Sequence, residues 1–349
     1  MKCKTDKPII TFALVAYNQE RFIREAIEGA FSQTYSPLEI ILSDDCSTDH
    51  TFEIIKQLAD SYQGPHTIIL NRNDKNLGIG GHINRAMELA RGDLIVAAAG
   101  DDISVPHRVE RIYQAYESTK GIAKSIFSNY LTIGIYGKPL CLHYEIPIQS
   151  EDFSPNNLAK KDSLISGCSH AWSREVFSVF GPLITPLTCE DMVIPFRSAL
   201  LGQIKYIHEP LVMHRQHGIN LWNYKWHHKT MIDVNREIEF TRFWLFERKA
   251  IFENWIKDLQ IMEKISHSRE EELRYLQAIV YKRLLDIEEY IFMLNAKFME
   301  KAKIVAKHIF KKGMKFQIIR HEIGFYLIPK IYRMYMNAKN KIKDLRPKG

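Results

Sequence analysis

Apolar and polar positions alternate between two periods over the first hundred residues. Ile9 to Ala16 is an unbroken apolar run, as in a strand buried on both faces. Phe22, Ile23, Ala26, Ile27, Ala30 and Phe31 follow at helical spacing. Leu38 to Leu42 predicts a second strand, and Asp49 to Tyr62 a second helix with Phe52, Ile55 and Leu58 inward. His66 to Leu70 predicts a third strand. A polar loop, Asn71 to Gly81, then leads to a helix through Ala90, and Leu94 to Ala99 makes a fourth strand. Strands alternating with helices predict an α/β fold, a mostly parallel sheet covered by helices on both faces. Ligands of such sheets bind beyond the carboxyl ends of the strands.

Beyond Ile122 the pattern loosens into short strands and Gly-Pro breaks, with a helix expected from Glu190 to Leu201. After Tyr224 it changes again. Thr230 to Lys264 and Arg269 to Lys307 read as long helices with dense charge. A boundary near residue 222 divides a sheet-containing domain, 1–222, from a helical extension, 223–349.

The 349 residues are 46% hydrophobic and 26% charged, the usage of a folded protein, which excludes wholesale disorder and a collagen-like fibre. The longest stretch without Asp, Glu, Lys or Arg, Val176 to Cys189, contains Pro182 and Pro186 and is too short to span a bilayer. The five cysteines form no C-x-x-C pair and read as incidental thiols of a reducing compartment. Charge is unevenly placed. Of the net +7, residues 297–349 hold 15 basic against 3 acidic groups, so a +12 tail follows a body of −5.

Two acidic clusters end predicted strands: Ser43-Asp44-Asp45-Cys46-Ser47-Thr48-Asp49 and Gly100-Asp101-Asp102. Helix capping by Ser47, Thr48, Asp49, Asp102 or Ser104 is one reading. Paired carboxylates also repel unless a cation or hydrogen bonds offset the repulsion, and oxygen ligands favour Mg²⁺ or Mn²⁺. Both readings stay open on the clusters alone. A third acidic pair, Glu190-Asp191, opens a helix, where it complements the helix dipole or serves as a base. Gly78-Ile79-Gly80-Gly81-His82-Ile83 lacks the last glycine of a dinucleotide fingerprint and follows a third strand instead of a first. No P-loop and no Gly-x-Ser-x-Gly occur.

Taken together, Phe12 to Asn18, Ser43 to Asp49, Asn76-Leu77-Gly78, Ala90 to Asp93 and Ala99 to Asp102 resemble family 2 glycosyltransferases over roughly residues 8–220. That resemblance implies a GT-A fold and a nucleotide-diphosphate-sugar donor. It implies that Asp45 contacts the base, that Tyr17 borders the base pocket, and that Asp101 sits near the ribose or metal. Asp102 then ligates a Mg²⁺ or Mn²⁺ ion bridging the diphosphate, with Gly100 standing at the first position of the family's Asp-x-Asp. Gly167 to Phe177 resembles the family's acceptor-side segment, and the aspartate of its Glu-Asp pair, here Asp191, is the implied general base. Met213 to Asn220 resembles the closing segment, in which Arg215 and His217 meet the diphosphate; a solvated basic turn is the plain alternative.

One base and no protein nucleophile imply transfer with inversion, the acceptor hydroxyl attacking opposite the leaving group. The two flanking carboxylates of glycoside hydrolysis are not evident. The tail repeats Phe298, Ala302, Val305 and Ile309 at helical spacing among lysines, which suits an anionic membrane surface. Nucleic acid is the rival partner for such a charge and an ordinary packed appendage the plain reading. Lipid-linked acceptors, which the resemblance implies, favour the membrane over nucleic acid. The expectation is thus a cytoplasmic enzyme, peripheral on the inner face of the membrane, acting on a glycan or lipid-linked acceptor in surface polysaccharide or lipid-linked oligosaccharide synthesis. Its rivals are a sugar-nucleotide nucleotidyltransferase, which would need a Gly-rich phosphate loop after strand one where Ala16-Tyr17-Asn18-Gln19-Glu20 stands, and a catalytically silent membrane-bound scaffold.

Overall fold

A computed structural model describes residues 7–142, 150–161, 165–217 and 234–295. The chain divides into two compact units: Met1–Lys225 with Ala250–Tyr281, and Trp226–Lys249 with Lys282–Gly349.

The first unit opens with β1 (Ile10–Ala16), α1 (Ile23–Phe31), β2 (Leu38–Asp44), α2 (Thr51–Ser61), β3 (Thr67–Arg72), α3 (Gly78–Leu89) and β4 (Leu94–Ala99). These strands pair in parallel in the order β3-β2-β1-β4. Their apolar runs face helices on both sides, so Phe12, Leu14, Ile40, Leu42, Leu94 and Val96 pack with Ile23 and Ile27 of α1 and Ile55 of α2. Burying each such side chain contributes about 1.5–3 kcal/mol before entropy is set against it. β3 is the edge, half-exposed and closed off by Arg72.

The sheet continues with β5 (Ile103–Ser104), β6 (Ala123–Ile133), β7 (Pro139–Leu142), β8 (Ala171–Ser173) and β9 (Gln203–Arg215). Helices α4 (Arg108–Ser118), α5 (Pro155–Lys160), α6 (Glu175–Phe180) and α7 (Glu190–Leu201) intervene. β8 runs antiparallel to both β4 and β6, and β5 antiparallel to β9, while β6 and β9 are parallel. The sheet therefore extends as an α/β arrangement, parallel in its first half and mixed beyond β4. The short strands expected after Ile122 are in part long ones, of 11 and 13 residues for β6 and β9. Register shifts around Ser128–Tyr130 break their period-two pattern, which is why the alternation is hard to read.

α8 (Val234–Ile265) and α9 (Glu270–Asn295) supply the C-terminal helices. Residues 250–281 belong to the first unit. Trp255 and Phe196 of α7 stack at 4.6 Å, and Ile251, Phe252, Leu259, Leu273 and Leu276 are buried. In the second unit Lys249 pairs with Glu288 at 3.1 Å. No described helix is long and apolar enough to cross a membrane. The basic segment 297–349 lies outside the described residues.

Candidate active site at the carboxyl ends of the strands

The turns after β1 and β2 brace each other. Asn18 and Cys46 adopt left-handed backbones, and the two turns exchange hydrogen bonds. Asn18 N donates to Ser47 Oγ (2.8 Å), Thr48 N to Asn18 Oδ1 (2.8 Å), Gln19 N to Thr51 Oγ1 (2.7 Å) and His50 N to Glu20 Oε2 (3.0 Å). Asp44 is fully buried, accepting from Ser47 N and Oγ and pairing with Arg72. Asp45 is also buried. Its carboxylate accepts from Asn73 Nδ2 (2.8 Å), Leu77 N (2.9 Å) and Gly78 N (3.0 Å), fixing the loop that opens α3. Gly78 enters that helix at φ +69°, where a side chain is strained. Tyr17, at the end of β1, is 44% exposed. The polar groups of this cluster are thus largely occupied within the protein.

β4 ends at Gly100-Asp101-Asp102. A Cβ at Gly100 would lie 2.8 Å from Ala16 Cβ and 2.9 Å from Ile23 Cδ1, so packing against β1 and α1 leaves no room for a carboxylate there. The next residues pair with β9, Ile103 opposite Met213 and Ser104 opposite Val212. That register brings Asp102 beside His214, with Asp102 Oδ1 at 3.1 Å from His214 Nδ1 and 2.8 Å from the donating Arg215 N. On the other side, the β4–β8 pairing of Val96 with Ala171, with Ala97 N donating to His170 O at 3.1 Å, carries the 167–169 turn alongside. Among the described residues, Asp102, His214 and Cys168 offer a carboxylate oxygen, an imidazole nitrogen and a thiol sulfur within 4.8 Å of one another. Buried Arg108 ties the group together. Its Nη2 donates to Ala97 O (2.7 Å) and Cys168 O (3.0 Å), and its Nη1 to Ser104 Oγ (2.9 Å). Burial lowers that guanidinium to about 10, still charged at neutral pH.

His214 is pushed up to about 11: burial opposes its charge, and hydrogen bonds and charges from Asp102 and Cys168 outweigh it. Burial also pushes the Cys168 thiol up. The donor set fits a divalent cation, which competes for the same lone pairs as these protons. From the sequence only Asp102 is expected at the cation; His214 falls within the closing segment with no role of its own, and Cys168 among the incidental thiols.

Asp101 is paired elsewhere, its Oδ2 2.8 Å from His217 Nε2. His217 stacks on Phe22 at 4.8 Å. Arg215 donates to Asp101 O (3.0 Å), Ile135 O (3.1 Å) and Glu25 Oε2 (2.7 Å), with only 1% of its side chain exposed. Both side chains therefore clamp the β4–β5 turn, buried against it instead of projecting as a solvated basic turn.

Asp191 stands in the first turn of α7, where the helix dipole favours its charge. Burial pushes its carboxyl up to about 7, against a hydrogen bond from the Gly167 backbone. Its Oδ1 is buried and makes no hydrogen bond among the described residues. The 167–169 turn comes close enough that a Cβ on Gly167 would meet Glu190 Oε1 at 2.6 Å. One short turn therefore touches Asp191 through Gly167 and the Asp102–His214 pair through Cys168. A carboxylate poised near neutrality beside a cation-fitting donor set is suited to taking a proton while negative charge is held nearby.

The motif resemblance has its counterpart in a comparison with known sequences. Residues 11–180 match the sequence model of glycosyl transferase family 2. EpsE of Bacillus subtilis (strain 168) is 39% identical over 104 residues, covering 30% of this chain and 37% of EpsE. The UDP-Glc:α-D-GlcNAc-diphosphoundecaprenol β-1,3-glucosyltransferase WfaP of Escherichia coli is 31% identical over 142 residues, 39% of this chain and 54% of WfaP. The chain thus spans about a third to a half of these relatives' length. Among solved structures, TarS 1–349 of S. aureus in complex with UDP-GlcNAc aligns over 80% of this chain and 90% of its own, at 14% identity and a TM-score of 0.48. The chain is also similar to a chondroitin synthase of Escherichia coli, 29% identical over 145 residues that cover 42% of this chain and 20% of the synthase.

Proposed function

We propose that this chain is a family 2 glycosyltransferase that moves a sugar from a nucleotide diphosphate donor to an acceptor hydroxyl, with inversion at the anomeric carbon. The observation that carries the reading is Asp191, a carboxylate pushed up to about 7 and adjoining, through the 167–169 turn, the Asp102–His214–Cys168 group. In the proposed reaction Asp191 takes the proton from the acceptor hydroxyl, whose oxygen forms the new bond to the anomeric carbon. The bond from that carbon to the nucleotide diphosphate breaks, and the diphosphate leaves with the electron pair. Asp102 and His214 would hold a divalent cation, which when bound supplies positive charge to the leaving diphosphate. Tyr17 borders the base, Asp45 shapes the base pocket by fixing Asn73 to Gly78, and Asp101 faces the ribose. Arg215 and His217 reach the diphosphate if they exchange their partners Glu25 and Asp101; otherwise they position Asp102.

WfaP, whose name specifies a UDP-glucose donor and a lipid-diphosphate acceptor, supports a nucleotide-sugar donor and a lipid-linked acceptor in surface glycan synthesis here. We place the reaction on the cytoplasmic face of a membrane, with residues 1–222 performing transfer and the basic tail addressing anionic lipid. The test is a thermal-shift screen of nucleotide sugars with and without divalent cations, followed by transfer assays. Asp102→Ala is expected to lose cation-dependent nucleotide stabilisation. Asp191→Asn keeps that stabilisation and loses transfer. Transfer at the normal rate by Asp191→Asn would remove Asp191 from its role, and tight nucleotide-sugar binding with no turnover on any acceptor would favour a silent scaffold.

A further inference from the structure

The cation site was expected from oxygen ligands, which favour Mg²⁺ or Mn²⁺. The donor set brought together by the fold is different in kind. It combines the Asp102 carboxylate, the His214 imidazole and the Cys168 sulfur, all within 4.8 Å of one another. Imidazole suits zinc-like ions and thiolate selects for them, whereas Mg²⁺ prefers oxygen and water. Resting on the cation site proposed above, we propose that Cys168 is a third ligand of that site and that the chain prefers a zinc-like divalent ion, Zn²⁺ or Co²⁺, over Mg²⁺.

Three separate constraints hold the donors. The Arg215 amide fixes Asp102 Oδ1 at 2.8 Å. The β5–β9 register places His214, and Arg108 Nη2 grips the Cys168 carbonyl at 3.0 Å. Zn–S bonds are about 2.3 Å and Zn–N or Zn–O bonds about 2.0–2.1 Å, so donors on a tetrahedral ion stand about 3.5 Å apart. The three donors, all within 4.8 Å of one another, already stand close to that spacing. Three protein ligands leave a fourth position open, as at catalytic zinc sites, and a diphosphate oxygen or water fits there. The His214 side chain is 26% exposed and Cys168 half-buried, which leaves the cluster a path to solvent. The other described cysteines, Cys46, Cys141 and Cys189, belong to no such group among the described residues.

The experiment is a Co²⁺ titration of the full chain after chelation, followed by absorption spectroscopy. A sulfur-to-cobalt charge-transfer band in the near ultraviolet is expected at one equivalent, together with visible d–d bands. Cys168→Ser should lose the near-ultraviolet band, keep weaker d–d bands and bind Co²⁺ at least about tenfold less tightly. In the wild-type chain a large excess of Mg²⁺ should leave the band in place. A wild-type cobalt complex without the sulfur band overturns the inference, whether or not any variant folds. The same band persisting in Cys168→Ser overturns it too, by moving the sulfur elsewhere. A sulfur band in a chain that transfers no sugar upholds the ligand and rejects the transfer reading. Mg²⁺-supported transfer with no sulfur band keeps that reading and rejects Cys168.

Discussion

Asp191 is the residue on which the chemistry turns, and its environment sets a pH dependence. Burial raises the carboxyl to about 7, so below that pH it is protonated and unable to accept a proton. Transfer measured as kcat/KM should therefore rise with pH and level off above about 7. Asp191→Asn should lower kcat by about 10²- to 10⁴-fold and abolish that limb of the profile. An unchanged acid limb in the variant would assign it to another group. Gly100 carries a second prediction. Its Cβ would sit 2.8 Å from Ala16 Cβ, so Gly100→Ala overpacks the junction of β4 with β1 and α1, at a cost of about 1–3 kcal/mol, read from the denaturation midpoint. The acidic residues of both strand ends were legible because strand, turn and helix signals bracket them. His214 and Cys168 were not. They meet Asp102 only through the β5–β9 and β4–β8 registers, and a register between strands more than 70 residues apart leaves no local sequence signal.

At the scale of elements, α7 presents Asp191 and is itself held from behind. Trp255 Nε1 donates to Met192 O at 3.3 Å, and Arg269 Nη1 to Leu200 O at 2.6 Å. Ile184 N donates to Asn254 Oδ1 at 2.9 Å, so the loop before α7 is gripped by α8 as well. At the centre, Arg197 Nε donates to Asp258 Oδ2 at 2.9 Å, and neither side chain is exposed. Removing one member of a buried pair strands the other charge. Asp258→Ala should therefore cost about 3–5 kcal/mol, measured by denaturant unfolding. Reduced transfer should accompany it as α7 loses its support. A change below 1 kcal/mol would show that α7 holds its place without α8. The apolar periodicity of β1, α1, β2 and β4 announced those elements nearly to their ends, because each buries a continuous face. The docking of residues 250–281 on α7 was not legible, since the charge-rich helix pattern around Trp255, Asp258 and Leu259 reads as a solvated extension until its partner helix is known.

For the whole molecule, the question is where a +12 tail and a −5 body send the protein. Opposite charge in one chain permits two outcomes: the tail folds onto the body, or it is drawn to an external anionic surface. The body's clustered acids do not serve the first. Asp44 and Asp45 are buried and occupied by internal donors, Asp102 by His214 and Arg215, and Glu209 by Arg111 and His107. None of these carboxylates is open to lysines, so a folded-back tail would have to rest on scattered exposed acids such as Glu28, Glu53, Asp60 and Asp74. A bilayer offers a dense, renewable supply of phosphates, and each basic group near it contributes about 1 kcal/mol at moderate ionic strength. Removing residues 297–349 should accordingly abolish sedimentation with anionic vesicles while leaving cation-dependent nucleotide binding intact. Replacing Lys301, Lys303, Lys307, Lys311 and Lys312 with Gln in the full chain should weaken vesicle binding in a salt-sensitive way and leave binding to neutral vesicles unaltered. Vesicle binding undiminished by the truncation would refute the surface role and return the tail's charge to an internal partner.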